Sequence, residues 1–425
     1  MLDIRLLREQ LDLVRENLQR RGDPRVLQRL DEAVAHDALW RQALTQLNAL
    51  RHEKNVLAPE IARLKQAGED ATKQIQRVQD LSATIEGLER EVAAQRERTQ
   101  AALFTLPNLL HESVPFGVDD RGSAVVKVVG TPPTFAFEAK NHLDLALALD
   151  LIDPERAAKT AGRGFFYLKG ALARLDYALL TYTMDFMMAR GYLLIEPPYV
   201  MRRKPYLGVT DLEFFGDQLY KIEGDDLYLI ATSEHPMAAF YMDEVIIQDA
   251  LPIKFVGVST NFRREVGAHG RYTRGLFRMH QFNKVEQFIF CLPEASWALH
   301  EELEANAEAL YRSLGLCFRV VNVCTGDIGS IAAKKYDIEV WMADGEYREA
   351  GSNSNCTDYQ ARRLNIRYRV KEGQAPVGFV HTLNNTALAT SRTLVALLEQ
   401  FQQADGSVHI PAVLQPYMGG LTRLA

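Results

Sequence analysis

The chain has 425 residues, of which 47% are hydrophobic, and its formal net charge is −6. This length and composition favour a soluble globular protein with a large core and two or three domains. With 49 basic against 55 acidic residues, the chain is not a polycation that coats nucleic acid, so any RNA contact must be local.

The sequence has neither a long apolar run nor a C-x-x-C pair, and these features bear on location and metal content. No run of eighteen apolar residues occurs, and acidic residues interrupt the leucines of the first twenty-two positions. We therefore expect no membrane span, no signal peptide and a cytoplasmic location. The cysteines form no C-x-x-C pair, so we expect neither a zinc site nor a disulfide framework. They are Cys291, Cys317, Cys324 and Cys356.

The N-terminal third reads as helical throughout. Apolar residues at three- and four-residue spacing predict one amphipathic helix over residues 2–21, which ends before Gly22 and Pro24. From there, two helical stretches meet at Gly68 and almost no strand signals occur. This pattern predicts an antiparallel helical hairpin over about residues 27–104, with its tip near residues 66–70.

The predicted hairpin is longer than a compact domain needs. Helices of roughly 35 to 40 residues extend about 55 Å at ~1.5 Å per residue. The hairpin either reaches a partner or is a coiled coil for self-association or spacing, and periodicity leaves both open. Pro59 lies inside the first helix, where it removes a hydrogen bond and predicts a kink.

A linker separates the hairpin from a second domain. Residues 107–140 are rich in Pro, Gly and polar residues, with one predicted strand at 124–129. We place the domain boundary between residues 117 and 118. Further along, a helix predicted over residues 171–190 leads into an apolar strand that ends at Pro197.

An arginine-rich interval lies between two later strands, predicted at residues 255–258 and 285–290. Planar guanidinium groups at this density suit phosphate or carboxylate oxygens, and Phe282 offers a ring on which a base could stack. The alternative is an ordinary solvated basic loop. The arginines of the interval are Arg263, Arg264, Arg271, Arg274 and Arg278, and the glycines that would let it bend are Gly267, Gly270 and Gly275.

The last third predicts further strands and one amphipathic helix. A strand is predicted at residues 337–342, and the segment Tyr-Arg-Glu-Ala-Gly-Ser-Asn-Ser follows at 347–354. Residues 381–392 then lead into a helix predicted over 393–403.

Three segments in this order resemble the signature motifs of class II aminoacyl-tRNA synthetases, in the seryl-tRNA synthetase form. The pattern F-R-x-E-x-G followed by T-R-G-L-x-R-x-H-Q-F-x-K-x-E, over residues 262–286, is similar to the second motif. The helix and strand before Pro197 resemble the first motif, and residues 381–403 resemble the third. The N-terminal arm and the segment at 106–117 match the same family, and we expect its bacterial form.

The resemblance implies an α+β protein. Its catalytic domain, residues 118–425, would be a class II synthetase-type antiparallel β-sheet flanked by helices. Residues 1–117 would bind tRNA through the hairpin, a coiled-coil arm that grips the long variable arm of serine tRNA. The family also implies a homodimer, with no membrane or DNA partner.

The resemblance further implies two adjoining binding sites. Glu286, Arg263 and Thr386 match the positions that bind the ammonium, carboxylate and hydroxyl groups of L-serine. The remaining serine-site residues are Thr232, Ser233, Glu234 and Asn384. The implied ATP-site residues are Arg263, Arg264, Glu265, Arg278, Met279, Phe282, Glu349, Ala350, Gly351, Ser352 and Arg392. Glu349 and Ser352 match ligands of Mg²⁺, and Arg263, Arg278 and Arg392 match the catalytic cations.

The implied reaction is activation of serine with ATP and transfer of the seryl group to serine tRNA, with selenocysteine tRNA as a further acceptor to consider. Two alternatives stay open. An amino acid ligase that charges a carrier protein would lack the arm and depend on zinc. A synthetase-like RNA-binding protein without catalysis would have lost ATP residues, and all the arginines and acids named above are present.

Overall fold

The computed structural model describes residues 1–265 and 275–425, except for the side chains of residues 213 and 214. The chain divides into two compact units, Met1–Leu109 and Leu110–Ala425. Within the described ranges, no helix has both the length and the apolar character that crossing a bilayer requires. The predicted glycines and arginines at positions 267, 270, 271 and 274 lie outside the described residues.

The first unit is helical and confirms the predicted hairpin. Its helices are α1 (Ile4–Glu9), α2 (Leu11–Gln19), α3 (Pro24–Gln66) and α4 (Thr72–Thr105). Residues of α3 and α4 that contact each other near the turn are close in sequence, and those that contact each other farther from the turn are more distant in sequence. Arg51 pairs with Glu89 at 2.6 Å, and Gln74 donates to Glu60 at 3.2 Å. The two long helices are therefore antiparallel, and the turn between them is the predicted tip.

Two of the helices predicted in this unit can be compared with the structure. The prediction of a single helix over residues 2–21 is wrong, because the chain leaves helical geometry at Gln10, where φ is −139°. The N–H of Gln10 caps α1 by donating to the Leu6 carbonyl. Glutamine is a good helix former, so the apolar repeat gave no signal of this break. Helix α3 continues through Pro59.

The second unit combines helices with a large sheet. Its helices are α5 (His142–Ala148), α6 (Pro154–Thr160), α7 (Gly170–Met188), α8 (Arg203–Val209), α9 (Leu212–Phe215), α10 (Glu234–Ala238), α11 (Ser296–Ser313), α12 (Tyr359–Leu364) and α13 (Thr390–Gln400). The third-motif helix was predicted over residues 393–403. It instead begins at Thr390 and ends at Gln400, because Phe401 leaves helical geometry and its N–H caps the Leu397 carbonyl.

A strand lies at each predicted position: those predicted at residues 255–258, 285–290 and 337–342 begin earlier than predicted, and the one predicted to end at Pro197 ends at Ile195. The strands are β1 (Ala124–Val129), β2 (Ile152–Asp153), β3 (Tyr167–Leu168), β4 (Leu193–Ile195), β5 (Val200–Arg202), β6 (Leu227–Leu229), β7 (Val245–Ile247), β8 (Ile253–Phe262), β9 (Gln281–Cys291), β10 (Phe318–Asn322), β11 (Lys334–Trp341), β12 (Tyr347–Asn355), β13 (Arg367–Arg369), β14 (Gly378–Phe379), β15 (His381–Ala389), β16 (Val408–His409) and β17 (Arg423–Leu424).

Among the described residues the main sheet has eight strands, in the order β1-β10-β11-β12-β15-β9-β8-β4. Every neighbouring pair is antiparallel except β4 with β8 at one edge, which is parallel. The order differs from the chain order because β15, the last long strand, inserts between β12 and β9. That insertion brings the second and third motifs side by side.

Both faces of this sheet are buried, which explains the continuous apolar run in β9. Ile289 and Cys291 belong to the core cluster that also contains α7 and α13 residues, whereas Phe288 and Phe290 belong to the cluster on the other side. Successive side chains of a strand point to opposite faces, so a strand between two cores needs apolar residues throughout.

Candidate active site

The β8–β9 hairpin positions the first group of site residues. Its ladder runs from Ile253 opposite Phe290 to Phe262 opposite Gln281. The Arg263 N–H continues it by donating to the His280 carbonyl at 2.9 Å. Arg263 and Phe282 therefore emerge from the end of two paired strands, which fixes their separation.

Arg263 lies between the two parts of the site. Its Nε donates to the Ala231 carbonyl at 3.2 Å, and its guanidinium carbon lies 5.2 Å from the centre of the Phe282 ring. Burial lowers the pKa of Arg263, and the positive charge of Arg392 lowers it further. Two guanidinium groups within each other's field create a place that favours an anion.

Arg278 has a partner of its own in this structure. Its Nε lies 3.2 Å from Glu265 Oε2. Glu265 adopts a left-handed backbone conformation with φ at 50°. The Arg264 N–H donates to the Gln218 carbonyl at 2.9 Å, and Met279 is buried. Arg278 would have to share or release Glu265 in order to bind a phosphate.

Arg392 and Glu349 form the other end of the nucleotide region. Arg392 lies in the first turn of α13, where Nη1 donates to the Glu349 carbonyl at 2.8 Å and to its Oε1 at 2.9 Å. The Arg392 guanidinium carbon is 5.0 Å from the centre of the Phe277 ring. Partial burial acts to raise the pKa of Glu349, but the charges of Arg392 and Lys335 outweigh it and lower that pKa to about 2.

The predicted metal ligands lie on β12. Ser352 Oγ is 3.5 Å from Glu349 Oε1, and Asp337 on β11 is directly opposite Ser352. Lys335 Nζ lies 3.2 Å from Asp337 Oδ2. Burial raises the pKa of Asp337 to about 7. Within residues 1–265 and 275–425, no group of three or more His, Cys, Asp or Glu side chains is arranged to hold a metal ion.

Gly351 brings the nucleotide strand against the serine-site strand. A Cβ atom added at Gly351 would lie 3.0 Å from the Cβ of Thr386 on β15, so a larger residue would force the two strands apart. Ala350 beside it is buried. The structure therefore joins the two predicted groups of residues into one site.

The predicted serine residues come together around two carboxylates. Asn384 Nδ2 donates to Glu234 Oε1 at 3.2 Å, and Thr386 Oγ1 donates to Glu286 Oε2 at 3.3 Å. Burial raises the pKa of Glu234 to about 7, and the charge of Glu286 adds to the rise. Burial also raises the pKa of Glu286.

Thr232 and Ser233 form the wall of this pocket rather than its charged part. Thr232 Oγ1 accepts from the Glu234 N–H at 3.1 Å, and Ser233 Oγ donates to the Gly257 carbonyl at 3.3 Å. Both residues are buried. The Ser233 hydroxyl thus holds the segment that carries Glu234 against β8, and the Thr232 hydroxyl accepts the N–H of Glu234 within that segment.

Sequence reasoning missed three residues at or behind the site. Phe277 stacks with Arg392, Lys284 pairs with Glu286 at 2.5 Å, and Glu304 lies under the sheet. Lys284 was visible as the fixed lysine of the second-motif pattern. Phe277 and Glu304 had no sequence signal, because their neighbours are distant in sequence.

Glu304 belongs to a polar layer between α11 and the sheet. It is 4% exposed, and its Oε2 accepts from Asn353 Nδ2 at 3.1 Å. Asn353 is paired across the strands with Asn385, whose Nδ2 donates to the Leu303 carbonyl at 2.7 Å. Burial raises the pKa of Glu304 to about 8. A neutral carboxyl therefore supports the strands that carry Ser352 and Thr386.

Two parts of the chain match models of known protein families. Residues 219–401 match the family model of the tRNA synthetase class II core domain (G, H, P, S and T), and residues 1–110 match that of the seryl-tRNA synthetase N-terminal domain. The sheet, the hairpin and the arginine-lined site define the class II aminoacyl-tRNA synthetase fold, as predicted.

Relatives over the full length identify the family within that class. A protein of Methanospirillum hungatei named serine–tRNA ligase is 52% identical over 419 residues, which cover 98% of this chain and 99% of the relative. A serine–tRNA ligase of Thermoplasma acidophilum is 46% identical, with 99% and 98% coverage. The chain belongs to the seryl-tRNA synthetase family. The expectation of a bacterial form is not supported, because these relatives are archaeal.

Solved structures agree with this assignment. Seryl-tRNA synthetase from Pyrococcus horikoshii, complexed with ATP, has a TM-score of 0.96 and 42% identity, with coverage of 100% of this chain and 99% of that one. The cytoplasmic serine–tRNA ligase of Naegleria fowleri, in complex with AMP, has a TM-score of 0.91 and 34% identity, with coverage of 100% and 98%.

Replacing Glu304 by glutamine tests the neutral carboxyl. A carboxyl whose pKa is raised in the folded state stabilises it fully below the unfolded pKa of about 4.3, and this contribution is lost as pH rises through about 8. As pH rises across that window, the free energy of unfolding of the wild type should therefore fall relative to that of Glu304→Gln, by up to about 1.4 kcal/mol per pH unit. Unfolding by urea at several pH values measures the difference, and parallel pH dependences would contradict it.

Proposed function

We propose that this chain activates L-serine with ATP, giving seryl-adenylate and pyrophosphate, and then transfers serine to the 3′ end of serine tRNA in the cytoplasm. The observation that carries the proposal is the place of Arg263. Its Nε contacts Ala231 beside the carboxylate pocket, while its charge acts together with Arg392 at the nucleotide end. One cation would thus adjoin both the carboxylate of serine and the α-phosphate of ATP.

In the first step a serine carboxylate oxygen attacks the α-phosphorus, and the bond from phosphorus to the pyrophosphate oxygen breaks. In the second step a terminal ribose hydroxyl of the tRNA attacks the carbonyl carbon, and AMP leaves. No protein nucleophile is needed. Arg263, Arg278 and Arg392 would lower the barrier by positioning the reactants and offsetting negative charge that develops on the phosphates.

A divalent cation accompanies ATP in enzymes of this kind, and we propose Mg²⁺. Mg²⁺ prefers oxygen ligands and is commonly held by one or two carboxylates together with substrate phosphates. The residues present fit it, because Glu349 stays ionised and lies beside the Ser352 hydroxyl. These two would hold the ion, which would offset charge on the phosphate oxygens. That zinc is not used stays a prediction.

The serine pocket would select its substrate by charge and hydrogen bonding. Glu286 would bind the ammonium group, Arg263 the carboxylate and Thr386 the hydroxyl, with Asn384 and Glu234 beside them. Alanine would leave buried polar groups unpaired, and the walls of the pocket would exclude the extra methyl group of threonine. The remaining ATP-site residues would surround the nucleotide, with Phe282 stacked on the adenine ring.

We assign residues 1–117 to tRNA binding and residues 118–425 to catalysis. Helix α3 has 43 residues, about 65 Å at ~1.5 Å per residue. This length suits a coiled-coil arm that grips the long variable arm of serine tRNA outside the catalytic domain. Selenocysteine tRNA is a second acceptor worth testing, because a solved structure pairs a seryl-tRNA synthetase with that tRNA.

The proposal is tested by transfer of labelled serine to purified serine tRNA, with alanine as the control amino acid. The full chain should form seryl-tRNA only when ATP is present. A variant whose hairpin is shortened between residues 36 and 100 should retain serine-dependent pyrophosphate exchange and lose transfer. Exchange without transfer by the full chain would favour a carrier-protein ligase, and loss of both would favour a non-catalytic RNA-binding protein.

Replacing Arg263 by alanine should nearly abolish formation of seryl-adenylate. The variant loses the cation that adjoins both reactants, so we expect exchange to fall by at least about 1000-fold. Arg121→Ala is the matched control, since its partner is the local Asp119, and its rate should equal that of the wild type. Near-normal pyrophosphate exchange by Arg263→Ala would refute the role.

We also propose that the chain forms a homodimer through the first-motif region. Leu193 and Leu194 on edge strand β4 are 61% and 37% exposed, and Tyr177 on α7 is 68% exposed. Apolar side chains on an exposed face mark an interface. Leu193→Asp should shift the protein from dimer to monomer in light scattering coupled to gel filtration. An unchanged dimer would place the interface elsewhere.

A further inference from the structure

Lys284 is a buried cation that the proposed reaction does not use. It lies on β9 between Ser259 of β8 and Ala389 of β15, and its side chain is 6% exposed. Its Nζ lies 2.5 Å from Glu286 Oε2. A buried ammonium group is costly unless it is paired, so this contact fixes where both side chains lie.

The contacts to Glu286 are unequal on its two oxygens. The shortest contact of Lys284 Nζ and the hydrogen bond from Thr386 both reach Oε2, and Oε1 accepts no hydrogen bond from the described residues. The carboxylate is thus held from one side. Oε1 is the oxygen that remains for a ligand in the pocket.

The charges around this pair also balance. Glu234 on α10 and Glu286 face Arg263 and Lys284, which gives two carboxylates and two cations. Burial lowers the pKa of His235 to about 3, and burial raises the pKa of the Cys356 thiol, so both of these neighbours are neutral. Without one cation, two buried carboxylates would tend to share a proton.

We propose that Lys284 is a positioning residue for the amino acid substrate: it keeps Glu286 charged and holds Oε2, so that Oε1 receives the serine ammonium group. This inference rests on the proposed function of the pocket. It extends that function from the residues that touch serine to one that acts through Glu286. The nucleotide region has its own cations, so Lys284 should affect serine and not ATP.

The first test compares Lys284→Met with Lys334→Met by serine-dependent pyrophosphate exchange. Lys334 is a matched control, because it is a buried lysine of the same sheet paired with Glu301 at 3.2 Å. We expect Lys284→Met to raise the KM for serine about 10- to 100-fold and to change the KM for ATP less than about twofold. Lys334→Met should change neither. Equal changes in both KM values for Lys284→Met would overturn the proposal.

The pH dependence separates a charge effect from a packing effect. Without Lys284 the pKa of Glu286 rises further, so a larger fraction of Glu286 is protonated at a given pH and loses its attraction for an ammonium group. The ratio of serine KM values, Lys284→Met over wild type, should therefore fall as pH is raised from about 6.5 to about 8.5. Lys284→Arg keeps the charge and should restore most of the affinity. A ratio independent of pH would contradict the inference.

A double variant tests whether Lys284 acts through Glu286, even if Lys284→Met alone folds poorly. Lys284→Met combined with Glu286→Gln leaves no unpaired buried charge, so it should fold. If Lys284 acts through Glu286, the double variant should have the serine KM of Glu286→Gln within about twofold. A further large loss would show an independent role and overturn the proposal. Lack of serine-dependent exchange in the wild type would instead reject the proposed function itself.

Discussion

The antiparallel pairing of β9 with both β8 and β15 determines where the parts of this site lie. Strand β8 ends just before Arg263, β9 carries Lys284 and Glu286, and β15 carries Thr386 before it leads into Arg392. The register places Glu286 opposite both Gly257 and Thr386. A shift of one residue in either pairing would turn these side chains to the opposite face of the sheet, away from the site.

The site concentrates charge within a sheet whose two faces are both buried. Charged groups at this depth are stable only as pairs, and the structure supplies Lys284 with Glu286, Lys335 with Asp337 and Arg392 with Glu349. The last of these lowers the pKa of Glu349 to about 2, whereas burial raises that of Asp337 to about 7. Glu349 is therefore fully ionised at neutral pH, whereas Asp337 is only partly ionised beside Lys335.

The polar layer between α11 and the sheet also fixes the strands of the site, through hydrogen bonds. Asn353 and Asn385 present amides to the face opposite Glu286 and Thr386, where α11 supplies Glu304 and the Leu303 carbonyl. Hydrogen bonds of this kind constrain the strands more narrowly than apolar contacts, because each has a required direction. The strands that carry the predicted site residues are thus fixed by α11 as well as by their ladders.

The sequence alone determined the parts that depend on local pattern. Apolar periodicity predicted the hairpin, its tip, the helix α7 and the main strands, and the resemblance of the ordered motifs to class II synthetases implied the fold class. A local pattern could not show the break at Gln10, since glutamine is compatible with a helix, or the shifted start of α13 at Thr390. Only the tertiary structure decided which charges meet. Whether Lys284 contacts Glu286, or Phe277 the side chain of Arg392, depends on strand register and on the insertion of β15 between β9 and β12, and these are set by packing across long separations in sequence.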